Sequence, residues 1–435
     1  MHAGLLLVFD LAHHWILTLT LLGIAFCWLP FAAGRLEARR ATGKAILWGA
    51  LLLRLPLLPL PPTLSDDVLR YLWEGKVAAA GHNPYVLPPA AGELAFLRDE
   101  TWPIPHQQVP TVYPPLAVTA FSIASRLPFP LLGWKAMATA ADLLACALLL
   151  TLARRRGLAP GRTAWYAWNP LVALEVAGMG HVDVLGVAAA LGAVVCLLPG
   201  RDGKPRAALA GVWAAAGALA KLGPLAALPL WSRASRRPLV FAGTALGLTA
   251  AAFAPVLAST GGVQPGLRTY GVAWEFNGPV YEPLWRLLDR AGTAPALARG
   301  LDAVERRFER WTLGDPYYPY LYPQFLAKVL LGLGMLAVVA RSALERDPVA
   351  GTGRLFGGLL LLSATVYPWY LLWVLPWAAL ARSRAWLALS ALMPLSYLPD
   401  PRVAGVPLVP WVYLAIWGPF AVLLLLERFR EGTRT

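Results

Sequence analysis

The sequence predicts an all-α polytopic integral membrane protein that crosses the bilayer roughly ten times, and three observations carry that expectation. Of its 435 residues, 58% are apolar. Only 14% are charged, against about 25% in a soluble domain, so most of the surface cannot face water. The basic residues come in short bursts between apolar runs, as loop charges do in membrane proteins.

That distribution also decides what the formal net charge of +14 means. Charge scattered between apolar runs reads as loop charge, so no nucleic-acid partner is expected. Cys27, Cys146 and Cys196 all lie in apolar runs, with no CxxC or Cys/His spacing, so neither a zinc site nor a disulfide framework is read. The N-terminus shows no basic n-region and no small-residue cleavage site, so the first apolar run is expected to stay in the protein. The 19 Trp suit an interfacial belt, or the lining of a sugar or lipid site.

Orientation follows from counting charges. Seven short segments (Gly34–Lys44, Arg154–Arg162, Arg201–Arg206, Arg233–Arg237, Arg341–Arg354, Arg382–Arg384 and Arg428–Thr435) hold 22 of the 38 Lys and Arg against five acids. Two long polar loops, Pro61–Tyr113 and Ser259–Tyr320, hold ten basic residues against thirteen acids. The positive-inside rule places the seven segments in the cytoplasm and both loops outside. The chain then reads as a single domain over 1–435, with a first outer loop at 61–113 and a second at 259–320.

Conventional spans are expected near Trp15–Ala33, Ala45–Leu60, Leu131–Ala153, Trp165–Gly178, Val182–Pro199, Pro238–Leu257, Phe325–Ala340, Ala385–Leu398 and Val406–Leu426. Parity puts the N-terminus outside. Between two pairs of cytoplasmic segments lie only 24 residues (207–230) and 27 residues (355–381). A full crossing takes about 20 residues, so neither stretch can cross twice. Each is expected to be a pair of short helices that turns near the outer leaflet. The turns are placed at Ala220-Lys221-Leu222-Gly223-Pro224 and Tyr367-Pro368-Trp369-Tyr370, where glycine and proline break helices. Such breaks are tolerated where they line a buried cavity. Tyr113–Leu127 is expected to be a helix on or in the outer interface.

Ionisable residues at depth are functional candidates by default. Ser65-Asp66-Asp67 opens an amphipathic stretch after the second span. Ser65 fits an N-cap, with both acids in the first helical turn. Adjacent carboxylates at a membrane exit also suit a general base, one raising the other's pKa. Lys221, between helix breakers, either snorkels to headgroups or binds an anion. Arg54 and Arg268 are weaker candidates of the same kind. His181 and Asp183 form either a satisfied polar turn or a hydrogen-bonding pair facing substrate. Glu175 and Asp142 read as buried polar groups with structural partners. Tyr367, Trp369, Tyr370 and Trp373 read equally as belt residues or as a stacking wall. No motif supplies enough ligands for a metal, so no cofactor is expected, with a divalent ion left open.

Taken together, the motifs resemble GT-C glycosyltransferases, in particular the bacterial polyprenyl-phosphate-mannose-dependent mannosyltransferases of glycosyltransferase family 87 and its neighbours. The residues that carry the resemblance are Asp66-Asp67-Val68-Leu69-Arg70-Tyr71-Leu72-Trp73-Glu74-Gly75-Lys76 with Gly81-His82-Asn83-Pro84-Tyr85, then Tyr113-Pro114-Pro115, Asn169-Pro170-Leu171 with Glu175, Gly180-His181-Val182-Asp183, Lys221 with Pro224, and Tyr367-Pro368-Trp369-Tyr370 through Pro376.

The resemblance implies a GT-C-like helix bundle with re-entrant helix pairs, in a bacterial-type inner (plasma) membrane with its active site facing the outside or periplasm. It implies inverting transfer of a hexose, mannose foremost, from a polyprenyl-phosphate donor to a lipid or glycan acceptor hydroxyl on that face. Asp67, or else Asp66, would be the base. Lys221, Arg268 and Arg70 would bind the donor phosphate. His181, Asp183, Tyr71, Asn83, Tyr85, Tyr367 and Trp369 would contact substrate. The alternative is a transporter or flippase of a lipid-linked sugar, which would also use paired broken helices.

Overall fold

A computed structural model describes residues 10–38, 42–99, 102, 104–199, 206–262, 264–307 and 322–432. Residues 308–321 of the second long loop, and parts of three basic segments (39–41, 201–205 and 433–435), lie outside the described residues. Among the described residues the regular structure is helical and no strand forms.

The chain enters on α1 (Trp15–Ala38) and α2 (Gly43–Arg54), the first long loop carries α3 (Asp67–Ala79), and α4 (Pro115–Ser125) follows it. Then come α5 (Pro130–Arg155), α6 (Asp183–Leu197), α7 (Ala207–Ala220), α8 (Leu228–Ala234) and α9 (Pro238–Thr260). The second long loop holds α10 (Pro265–Ala273), α11 (Tyr281–Arg290) and α12 (Thr293–Arg307). The chain closes on α13 (Pro323–Ala343), α14 (Pro348–Leu361), α15 (Leu375–Ala381), α16 (Arg384–Leu392) and α17 (Tyr413–Gly432). Helices α1, α5, α9, α13 and the stretch Leu408–Arg430 are each long and apolar enough to cross a membrane. The protein is an all-α integral membrane protein.

Local chemistry sets the helix ends. Pro115, Pro130, Pro238, Pro323 and Pro348 each occupy the first turn, where a missing N–H costs nothing and φ is already helical. Thr42, Asp347 and Ser383 cap α2, α14 and α16 through their side-chain oxygens. Beyond Asp183, helix α6 is apolar all round and buried along nearly its whole length, so it forms the central rod of the bundle between α5 and α7. Helix α9 buries only Phe241, Ala245 and Val256 and turns the rest of its apolar surface outward, as a lipid-facing helix does.

The two predicted helix breaks form. Lys221 leaves α7 in an extended conformation (φ −157°, ψ 137°), and Pro224 starts a tight turn into α8. After α14, Tyr367 is extended and Pro368 opens a second tight turn, Pro368–Trp373, into α15. This second break is bonded to the second long loop: Phe276 N–H donates to Ala364 O at 3.1 Å and Val366 N–H to Phe276 O at 2.7 Å.

Three predicted spans take another form, the first being Ala45–Leu60, whose helix α2 ends at Arg54 and passes into a tight turn, Leu55–Leu57. Trp165–Gly178 is not one helix. A turn ends at Ala167, Asn169 accepts a hydrogen bond from Leu171 N–H at 3.0 Å, and Pro170 restarts the chain into a π-helical turn, Leu174–Gly178. Pro170 cannot donate to the preceding turn, so a continuous helix is closed to it. The span expected at Ala385–Leu398 shortens to α16 and a tight turn, Met393–Tyr397.

Helix α4 packs flat on α3 because Gly75 lets the backbones meet. A Cβ there would lie 2.2 Å from Phe121 O. The contact continues through Tyr71, stacked on Phe121 at 4.8 Å between ring centroids. This platform carries the acids at the start of α3 into the bundle.

Candidate active site

One large cavity, about 790 Å3, opens where the first long loop, the second long loop and both helix breaks converge. Asp66 and Asp67 from the start of α3, Lys221 from the first break, and Tyr367, Trp369 and Tyr370 from the second all line it. Tyr270, Trp274 and Phe276 enter from the second loop, and Asp400 and Arg402 from the turn before α17. Aromatic faces beside carboxylates suit a sugar, whose C–H faces stack and whose hydroxyls donate.

Asp66 is the N-cap residue of α3 and Asp67 its first residue, while Ser65, the expected cap, acts one position early by accepting from Asp67 N–H at 3.4 Å. The two acids then part. Asp66 faces Arg402, 3.6 Å away. Asp67 faces inward, where it accepts a hydrogen bond from the Tyr71 hydroxyl at 3.4 Å and approaches His181 Nδ1 at 3.9 Å. Its carboxylate is open to the cavity but enclosed elsewhere. Burial raises its pKa from the ordinary carboxylate range to about 6, against the opposing pull of Lys221 and with help from Asp66 and Asp183.

Lys221 Nζ donates to Asp183 Oδ2 at 3.1 Å and lies 5.9 Å and 5.4 Å from the ring centroids of Tyr113 and Tyr370. An ammonium has three N–H donors, so the ion pair leaves others for the cavity. Trp373 Nε1 donates to the second oxygen of Asp183 at 2.8 Å, which fixes that carboxylate at the first turn of α6, where the helix dipole favours it.

The remaining sequence-predicted residues fall into other places. Tyr367 and Trp369 line the cavity as expected. Arg70 reaches it, but its guanidinium is occupied by Glu74 (3.1 and 2.7 Å) and by the carbonyls of Pro105, His106 and Val109. It braces the loop. Arg268 lies on the exposed side of α10 and does not line the cavity, whereas Leu267 and Tyr270 of the same helix do. Asp183 and His181 are wholly buried and are not among the residues that line the cavity. Tyr71 is buried too, and acts through its hydroxyl on Asp67. Asn83 accepts from Tyr85 N–H at 2.9 Å and shapes the loop, and Tyr85 packs with Val118 and Val256.

Arg54 is fully buried and bonded to Asp142 at 2.5 Å, with Tyr166 on the other Asp142 oxygen at 2.7 Å, so it is a structural cation. Sequence reasoning missed Arg402, Asp400 and the aromatic residues 270, 274 and 276. Asp400 and Arg402 are a charged pair in a proline-rich turn, which is the one signal the sequence offered. Among the described residues no group of three His, Cys, Asp or Glu gathers as a metal site.

The family model described as "Alpha-(1->6)-mannopyranosyltransferase, N-terminal domain" matches residues 4–235, just over half of the chain. The chain belongs to this family. It is a membrane glycosyltransferase, which decides against a transporter. The matched stretch includes Asp66, Asp67, His181, Asp183 and Lys221 and stops before the second break. A curated relative from Mycolicibacterium smegmatis (strain ATCC 700084 / mc(2)155), named a probable alpha-(1->6)-mannopyranosyltransferase, is 27% identical over 408 residues, covering 84% of this chain and 71% of the relative. No solved structure matches the chain.

Proposed function

We propose that this mannosyltransferase-family enzyme transfers a mannosyl residue from a polyprenyl-phosphate donor to an acceptor hydroxyl on the outer face of the membrane, with inversion at the anomeric carbon. The name of the mycobacterial relative suggests that the acceptor hydroxyl is the primary 6-hydroxyl of a mannoside. The observation that carries the proposal is that Asp67 and Lys221 open into the same aromatic-walled cavity. A single displacement needs one base for the acceptor and positive charge for the departing phosphate. Asp67 takes the acceptor proton as its oxygen bonds to the anomeric carbon. The sugar–phosphate bond breaks, its electron pair stays on the phosphate, and Lys221 stabilises that anion. Polyprenyl phosphate leaves as a stable anion, so a second carboxylate acting as general acid, as in glycoside hydrolysis, is not required.

Lys221 supplies the charge for the phosphate, so transfer is expected to persist in EDTA. The test is transfer of label from polyprenyl-phosphate mannose to a mannoside acceptor by the purified chain, with the product's anomeric configuration read by NMR. A labelled product of configuration opposite to the donor supports the scheme, and a retained configuration contradicts it.

A further inference from the structure

His181 is the matched-motif residue that substrate contact leaves unexplained. Its side chain is fully buried, and neither ring nitrogen makes an aligned hydrogen bond, an arrangement that costs stability and calls for a reason. A stack of rings fixes its plane. Phe276 lies on Tyr367 (4.7 Å), Tyr367 on Trp369 (4.5 Å) and Trp369 on His181 (3.8 Å), all within 17° of parallel. Held so, the imidazole presents one nitrogen to each of two carboxylates. Nδ1 lies 3.9 Å from Asp67 Oδ2, and Nε2 lies 3.2 Å from Glu175 Oε2. Glu175 sits in the π-helical turn, fully buried, with the Tyr397 hydroxyl 2.8 and 2.9 Å from its two oxygens. Lys221, Asp183 and Asp66 are the other charged groups near this line.

We propose that Asp67, His181 and Glu175 form a buried relay that draws the acceptor's proton out of the cavity during transfer, an inference that rests on Asp67 being the base. The relay starts with Glu175 as carboxylate, a form that burial disfavours and that the Tyr397 hydroxyl supports by donating to its oxygens, and with His181 neutral, its proton on Nε2. The acceptor O–H bond breaks and Asp67 gains the proton. Asp67 passes it to His181 Nδ1 as His181 Nε2–H passes its own to Glu175. Asp67 is again a carboxylate, His181 is neutral in its other tautomer, and Glu175 is a carboxylic acid held by Tyr397. After product release the proton retraces the route to the open cavity. The Asp67–His181 gap has to close by about 1 Å to reach hydrogen-bond length, and the imidazole has to turn until Nε2–H points at Glu175, since neither nitrogen is aligned at rest. Removing the proton from Asp67 keeps it from returning to the acceptor oxygen.

The test uses the full chain in detergent with polyprenyl-phosphate mannose and a mannoside acceptor, comparing wild type with His181→Phe, which keeps a ring in the stack, and Glu175→Gln, which keeps the Tyr397 contact. The relay predicts that each variant lowers kcat about 10-fold or more with donor KM within about 2-fold. It also predicts that the plot of rate against deuterium fraction changes from curved, with several protons in flight, to linear. If His181→Phe fails to fold, Glu175→Gln carries the test. Wild-type rates in the variants, or slower rates with the curvature intact, would overturn the relay alone. An inactive wild type would overturn the donor assignment beneath it.

Discussion

Lys221 Nζ stands 3.1 Å from Asp183 Oδ2, and this ion pair joins the broken end of α7 to the first turn of α6. Asp183 is anchored on its other oxygen by Trp373, which belongs to the second break. The pair therefore ties both helix breaks to the central rod and holds one ammonium at the cavity wall.

Removing that ammonium should slow the departure of the phosphate. Lys221→Met is expected to lower kcat by about 10^2–10^3-fold, the cost of losing one preorganised donor to a developing anion. Asp183→Asn, which keeps the shape but frees the lysine, is expected to lose less. Initial rates at saturating donor check both.

The acid limb of the pH profile should report Asp67. As a base it works when ionised, and its pKa is raised to about 6, so kcat/KM is expected to fall as pH drops through about 6. An unperturbed aspartate would hold activity down to about 4. Lys221 opposes the rise, so the residual activity of Lys221→Met should show its limb at higher pH. A limb that stays in place would separate Lys221 from Asp67 electrostatically.

The same raised pKa predicts a trade of stability for function. The folded protein binds the Asp67 proton more tightly than the unfolded chain, so ionising Asp67 destabilises the fold as pH rises through about 6. Asp67→Asn removes that cost. Its Tm at pH 7.5 is expected to exceed that of wild type, with the difference vanishing near pH 4. A lower Tm for the variant at pH 7.5 would contradict the placement of Asp67.

Arg54 and Asp142 are buried without exposed side-chain surface. Asp142→Leu leaves the guanidinium unpaired and is expected to cost about 3–5 kcal/mol. The double variant Arg54→Met, Asp142→Leu removes both charges and should recover much of the loss. Thermal unfolding of both variants in one detergent makes the comparison.

Much of this arrangement was legible in the sequence because it follows from local rules. The short distance between basic clusters implied a break near Lys221, and glycine and proline located it. Asp66 and Asp67 at a helix start, and aromatic residues after Pro368, could be read from chain position alone. What stayed hidden depends on three-dimensional partners. Nothing in the spacing of Arg70 and Glu74 says that three carbonyls accept from Arg70 and that the Thr111 hydroxyl donates to Glu74. Position could not show that Arg268 points away from the cavity while Tyr270, two residues on, lines it. Nor could it show that His181 is sealed behind Trp369, since that burial comes from a ring stack spanning residues 181 to 369. The span expected at Trp165–Gly178 was misread because its apolar length outweighed Asn169-Pro170, whose capping and missing N–H split it.

The most direct test of the account compares Asp67→Asn with Asp66→Asn and wild type in mannosyl transfer from labelled polyprenyl-phosphate mannose, with donor binding measured on the same preparations. Asp67 is the carboxylate near Lys221 and His181, and Asp66 lies 3.6 Å from Arg402, whose guanidinium is bonded to Asp400. The prediction is a loss of about 10^2–10^4-fold in kcat for Asp67→Asn, with donor still bound and the fold intact, and a much smaller loss for Asp66→Asn. Transfer undiminished in Asp67→Asn, or abolished in Asp66→Asn alone, would contradict it.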